Sequence, residues 1–448
     1  MKEHLLVFLR AGFLKSKRGL ITTFLCAGMM LSASAGAKEK PQAGELKADE
    51  SGTDQEVRQL RLEVEELKRW KERQELDSLK SAAETASQVK KEGGLELKEF
   101  QGGARALQAL NPELSVTGDM YGQVVVSEGR LDSADARSGF YFRNIGLHIQ
   151  SNLDPFSFVK AAIEFSQEGA ELGEAYITWT NVAKGLNITL GKFRQQLGVI
   201  NRWHKHALDQ FDFPLMLREP FGGDGLNQVG IALDWLLPKL WADEQSITLQ
   251  VTNAMNGKAF SGDFFSIPAG LLRVRSYWDL DRDLYLDFGV TGLVGTNNKR
   301  GVTDEKTGKK VDEPWRLSVF AGADLSLVWE PVNQAKYFGV TWRTEFLYGY
   351  RQEPDDRKVH WMGGYTYLEG KVWRNWIVGA RAEIAEPYEW SQDVKLLWQI
   401  SPYVTWWQSP WVRTHLEYQY IDGNARPAEH RVILQVVLAA GPHKHDRY

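Results

Sequence analysis

Cysteine is nearly absent. Cys26 is the only one in 448 residues, and it sits in an N-terminal apolar run, so the body of the chain has neither disulfides nor thiolate metal sites. Long apolar stretches are missing too. Beyond the N-terminus no run of about 18 apolar residues could form a spanning helix. There is no basic excess: the formal charge is −4, and no footprint for nucleic acid results. Catalytic signatures are also lacking. No Gly-x-Ser-x-Gly, no Gly-x-x-x-x-Gly-Lys phosphate loop and no His-Glu-x-x-His occurs, so an enzyme is not expected.

Aromatics and glycine are plentiful: 17 Trp, 15 Tyr, 20 Phe and 41 Gly, at a mean hydropathy of −0.38. That combination suits a membrane β-barrel, where a lipid face and a wet face alternate and cancel in any window average. A large soluble all-β protein would share the composition.

Residues 1–37 read as a secretory signal. Lys2, Arg10, Lys15, Lys17 and Arg18 precede the apolar core Gly19–Leu31, and Ala35-Gly36-Ala37 supplies a small-x-small cleavage site. Thr23-Phe24-Leu25 before Cys26 is no lipobox. Cleavage leaves 49 Lys/Arg against 57 Asp/Glu, a charge of −8. Residues 38–53 form a patternless leader. Over 54–91, Val57, Leu60, Val64 and Leu67, then Leu76, Leu79, Ala83 and Ala86, recur at helical spacing with a phase break near Trp70. This predicts a periplasmic coiled coil and a homo-oligomer, with a trimer favoured. Residues 92–113 are a glycine-punctuated linker, and 441–448 a polar tail.

From Leu114 the period becomes two. Sixteen candidate strands follow up to residue 440. Val340, Trp342, Phe346 and Tyr348 oppose Arg343 and Glu345. Leu317, Val319, Ala321 and Leu325 oppose Arg316, Ser318 and Asp324. Val412, Leu416 and Tyr418 oppose Arg413 and Glu417. Trp and Tyr cap the apolar faces, as at Trp315 and Trp329, which suits an aromatic girdle. Tight connectors, including Gly370–Lys371 and Tyr403–Pro410, alternate with long ones. The predicted fold is an all-β transmembrane barrel of about 16 antiparallel strands in the outer membrane, with an N-terminal helical coiled-coil segment.

The stretch 195–225 breaks the pattern. Pro214, Pro220, Gly222, Gly223 and Gly225 interrupt strand and helix alike, yet it is rich in Trp, Phe, Leu and His. About 30 such residues are too apolar for a solvated linker, and loops of that length are usually functional. It is expected to fold against the inside of a hollow wall. Selectivity in any pore depends on charges aimed at the permeant. Arg202, His204, Lys205, His206, Asp209, Asp212, Arg218 and Glu219 are the constriction candidates. Lys160, Lys192, Arg194, Arg273, Arg275, Arg343, Arg381 and Arg413 are the wall candidates, with Glu164, Glu345, Glu383 and Glu417 pairing some of them. His204, His206 and Asp209 have the ligand types for zinc, though their spacing fixes no third ligand.

Leu110-Asn111-Pro112-Glu113-Leu114-Ser115-Val116-Thr117-Gly118-Asp119, Gly191-Lys192-Phe193-Arg194 and Gly198-Val199-Ile200-Asn201-Arg202-Trp203-His204-Lys205-His206 together resemble outer-membrane porin-like proteins. These are related to the phosphate-selective porin O/P superfamily, some members being labelled TonB-dependent or zinc-regulated. The resemblance implies a 16-stranded barrel whose third outer loop narrows the pore. It names no solute. Residues 101–448 carry 36 basic and 41 acidic residues, so the positive excess suited to a phosphate channel is missing. Passive diffusion of small hydrophilic or ionic solutes is the first expectation. A ligand- or zinc-binding receptor and an envelope tether touching the cell wall are the alternatives.

Overall fold

The computed structural model describes residues 112–441 except 134–135, 255, 257, 261–266, 299–300, 304–307, 354–356, 389–395 and 424–425. The expected signal peptide, leader and coiled coil, nearly all of the linker, and the tail beyond Gly441 lie outside the described residues.

Sixteen long strands form one closed antiparallel barrel. In chain order they are β1 (Glu113–Ser127), β2 (Gly139–Asp154), β3 (Ser157–Ser166), β4 (Gly169–Ala183), β5 (Leu186–Arg194), β6 (Asn227–Leu237), β7 (Glu244–Thr252), β8 (Ala269–Asp281), β9 (Leu284–Thr296), β10 (Leu317–Trp329), β11 (Gly339–Gln352), β12 (Lys358–Trp373), β13 (Trp376–Ala385), β14 (Leu397–Ser409), β15 (Val412–Gly423) and β16 (Arg426–Ala440). Each pairs with the next. β1 closes the ring on β16, from Val116↔Ala440 to Ser127↔Glu429. A closed ring leaves no open edge, which a strand in lipid requires. Every long strand has at least nine residues, the length a tilted strand needs to cross a bilayer.

The alternation sorts side chains as their chemistry demands. On β11, Val340, Trp342 and Phe346 are exposed on the outside while Arg343 and Glu345 are buried within. On β13, Val378 and Ile384 face out and Arg381 and Glu383 face in. Trp179, Trp235, Trp329, Trp342, Trp376 and Trp406 are exposed around the end that carries the short turns. At the opposite, loop-bearing end the exposed aromatics include Phe140, Phe165, Trp315 and Tyr418. There Tyr348 and Tyr418 hydrogen-bond His360 and His430 on the adjacent strands. Two girdles with an apolar band between them match a lipid-facing barrel wall.

Two turns differ from the expected ones. β12 runs through Gly370 to Trp373 and turns at 374–375, with Trp373 opposite Trp376. β14 runs through Pro402 to Ser409 and turns at 410–411. Gly370 keeps partners on both sides, Val340 and Val378. The ladder between β14 and β15 passes from Ile400↔Tyr420 to Tyr403↔Glu417, stepping over Pro402. A single breaker is thus absorbed where aromatic alternation continues beyond it. The connector between β3 and β4 on the loop-bearing end is only two residues, 167–168.

Candidate functional site

The segment between β5 and β6 lies inside the barrel. Its neck is closed by Gln195 N donating to Leu226 O at 3.0 Å. Asn201, fully buried, ties the ends further. Its Nδ2 donates to Gln195 O (2.8 Å) and Leu226 O (2.9 Å), and its Oδ1 accepts Leu226 N (2.7 Å). The segment is not wholly irregular. It holds single 3-10 turns at Ile200–Arg202 and Lys205–Ala207, and a short helix α1 (Leu215–Phe221). Pro214 fits because it caps α1, where its missing N–H costs nothing, and Pro220 falls in the last turn.

Ile200, Leu208, Phe213, Met216, Leu217 and Phe221 are buried in a cluster with Phe320, Leu347, Trp361 and Tyr365 of the inner wall. Backbone groups carried into a lumen must find partners there, and wall charges supply them. Glu345 Oε1 accepts Val199 N and Ile200 N, both at 3.1 Å, and Tyr365 OH at 2.6 Å. Glu417 accepts Phe211 N at 2.9 Å, and Glu383 accepts Leu215 N at 2.6 Å. Arg381 Nη1 donates to Asp212 O (2.8 Å), Arg413 Nη1 to Leu208 O (2.7 Å) and Arg143 Nη1 to Phe211 O (3.3 Å). Arg381 also pairs with Glu383 at 2.9 Å. The wall charges are therefore more than a ladder of mutual pairs: several also hold the segment.

The constriction candidates separate into distinct settings. His204 Nε2 lies 2.9 Å from Glu174 Oε2. His206 stacks on His204 with centroids 5.4 Å apart, and His148 of β2 meets both rings edge-on. Asp209 is not with them; its Oδ2 accepts Tyr367 OH at 3.0 Å. Among the described residues no group of three or more His, Cys, Asp or Glu is arranged to hold a metal ion. Lys205 pairs with Asp224 at 2.5 Å. Asp212 sits among Arg143 (3.7 Å), Arg218 (3.9 Å) and Arg431 (3.9 Å). Burial pushes its carboxyl up, but Arg218, Arg143, Arg431 and Lys205 together hold it below the usual carboxylate range. Arg218 also donates to Gln399, and Glu219 accepts Tyr388 N at 3.4 Å. Arg202 lines a cavity with Gln196 and Trp203.

Of the wall candidates, Lys160 lies 3.7 Å from Glu174, Arg273 pairs with Asp324 at 2.6 Å and Arg275 with Asp287 at 2.5 Å. Arg194 reaches Asp224 O at 2.8 Å, and Arg343 lies 4.8 Å from the Trp203 ring. Lys192 does not face the lumen. It stands opposite Ala175, one residue out of step with the inward pair Thr178 and Thr189, and its Nζ donates to Leu172 O at the exposed surface. The residue pair Lys192–Phe193 puts Phe193, not the lysine, on the inner face. Sequence reasoning missed His148, Arg143, Asn201 and Tyr367. Of these, His148 shares the inward parity of Asn144 on β2, a signal that was available.

Cavities lie on both sides of the segment. Toward the turn-bearing end, spaces of about 530 Å³ and about 740 Å³ both touch Trp203 and Arg343, and one of about 260 Å³ lies beneath His204. Toward the loop-bearing end, a vestibule of about 570 Å³ is floored by Phe211 and Asp212. It shares no lining residue with the other three.

No family model matches the chain. An uncharacterized protein of Aquifex aeolicus is 31% identical over 102 residues, which is 23% of this chain and 22% of that protein. The chain thus aligns with about a fifth of this relative's length. Among solved structures, similar ones are an anion-selective porin from Comamonas acidovorans (10% identity, 73% of this chain and 99% of that one, TM-score 0.49) and OprB of Pseudomonas putida (10%, 76% and 97%, 0.49). The outer-membrane channel DcaP of Acinetobacter baumannii is another (12%, 74% and 96%, 0.48). None of these fixes a function for this chain.

Proposed function

We propose that the protein is an outer-membrane channel that passes small hydrophilic or ionic solutes by diffusion, with residues 195–225 as its constriction. One observation carries this reading: the segment crosses the lumen with cavities on both sides of it and is held by the wall's own charges. Solutes would pass Arg202, His204, Lys205, His206 and Asp212, so these set which charge is favoured. In this reading the short turns face the periplasm, the longer loops face outward, and residues 54–91 assemble the barrels, with a trimer favoured.

Planar-bilayer recording of the purified full-length protein tests it. Steady ohmic steps are expected, with a reversal potential under a salt gradient that shifts when Arg202 or Lys205 is neutralised. A silent bilayer, together with zinc binding that is lost in a His204→Ala/His206→Ala variant, would replace the channel by the receptor alternative.

A further inference from the structure

The vestibule at the loop-bearing end has a chemistry of its own. Four cations line it, Arg137, Arg143, Lys205 and Arg431, against a single carboxylate, Asp212. The other acids stand behind or beside the lining. Asp119 sits under Arg143 at 3.2 Å with its side chain 1% exposed, and Glu429 sits under Arg431 at 3.0 Å at 2%. Asp224 holds Lys205 from outside the lining. Counting those three acids, Asp132 beside Arg137 and the adjacent Arg218, the surrounding charges balance, but in the lining itself the cations outnumber the carboxylate four to one. Asp212 is shared by three guanidinium groups, none closer than 3.7 Å, so it neutralises none of them fully. Arg431 Nε has no hydrogen-bond partner among the described residues.

The remaining wall is aromatic. Tyr121 and Tyr141 stack at 5.0 Å with their planes 14° apart, and Phe211 meets Tyr121 edge-on at 4.8 Å. Arg143 lies 4.0 Å from the Phe211 centroid and 5.3 Å from that of Tyr121. The rim is pinned as well: Gln123 Nε2 and Tyr141 OH both donate to Arg137 O at 2.7 Å. Pre-positioned cations beside a rigid aromatic wall are what recognition of one ligand needs, and about 570 Å³ lies within the usual range for small-molecule sites.

We infer that this vestibule binds a small monoanion carried on a planar ring, its oxyanion on Arg143 and Arg431 and its ring against Tyr121, Tyr141 and Phe211. This builds on the channel reading by naming the solute class selected at the mouth. Titration calorimetry of the full-length protein in detergent tests it, with sodium benzoate as probe and acetate and benzyl alcohol as controls. Benzoate should bind about tenfold tighter than either control, since both the charge-assisted bonds and the ring contact are needed. Arg143→Gln should cost about tenfold for benzoate. Tyr141→Leu, which leaves every charge in place, should weaken benzoate and leave acetate unchanged; heat-resistant migration of the folded barrel checks both variants. Benzoate binding no tighter than acetate, or no tighter than benzyl alcohol, overturns the inference. The binding is read without conduction: a silent bilayer defeats the channel and leaves this site standing, while ohmic steps without benzoate preference defeat the site alone.

Discussion

Gly198 and Glu345 meet where the inward segment first touches the far wall. Gly198 has φ +64°, and a Cβ there would fall 1.9 Å from Glu345 Oε2. Any side chain must displace either the carboxylate or the backbone, on top of a left-handed strain of about 1–2 kcal/mol. Gly198→Ala should therefore loosen the seat of Val199 and Ile200, and single-channel conductance should rise and become noisy. An unchanged trace would mean that the contact does not hold the segment. Asn201 acts at the other end of the same lever. Asn201→Ala strips three hydrogen bonds from a fully buried site and should cost about 2–3 kcal/mol, read as a lowered thermal midpoint of the detergent-solubilised barrel. Neither role could be read from the chain. Gly198 is one of 41 glycines, and an asparagine in an apolar loop declares no partner until the loop closes. His204 and Asp209 show the same limit: five residues apart in sequence, they bond opposite sides of the lumen, Glu174 and Tyr367.

At the scale of elements, the strands were legible because lipid and water impose a strict two-residue period. The same regularity explains the misplaced turns, since Gly370 and Pro402 carry breaker chemistry inside runs whose alternation overrides it. The alternation is least clean where the inner face is apolar. Phe320, Leu347 and Trp361 occupy lumen positions and blur the pattern on β10, β11 and β12. Their reason is α1, whose Phe221 ring lies 4.9 Å from Phe320. A helix of seven residues does not stand alone in water; it exists because this wall covers it. Leu217, fully buried in that cluster, is the sensitive point. Leu217→Asp puts an unpaired charge among apolar side chains, a penalty large enough to unseat α1. Trypsin should then cut after Arg218 or Arg202 in folded barrels of the variant but not of the parent. Equal resistance in both would show that the segment is held by its polar bonds alone.

Across the whole molecule, the segment joins strands that are far apart around the ring, and Asp212 is where most of the charge converges. Arg143 comes from β2, Arg431 from β16, and Arg218 and Lys205 from the segment itself. Because those cations hold the Asp212 carboxyl below its ordinary value, the seated state binds fewer protons there than a released segment would. Its contribution is complete above the ordinary aspartate pKa of about 4 and is lost as pH falls through the depressed value. Protonation removes the one carboxylate that Arg143, Arg218, Arg431 and Lys205 share, which favours withdrawal of the floor at Phe211 and Asp212. Conductance should stay level from neutral pH down to about 5 and climb below about 4. Asp212→Asn should carry the high-conductance state at neutral pH and flatten the acid response, while Asp209→Asn, which removes a carboxylate bonded to Tyr367 on the other side of the lumen, should leave that response in place. If Asp212→Asn keeps the parental pH curve, the convergence of charge at this residue does not seat the segment. The seating would then fall to Glu345, Glu383 and Glu417, the wall carboxylates that bond its backbone directly.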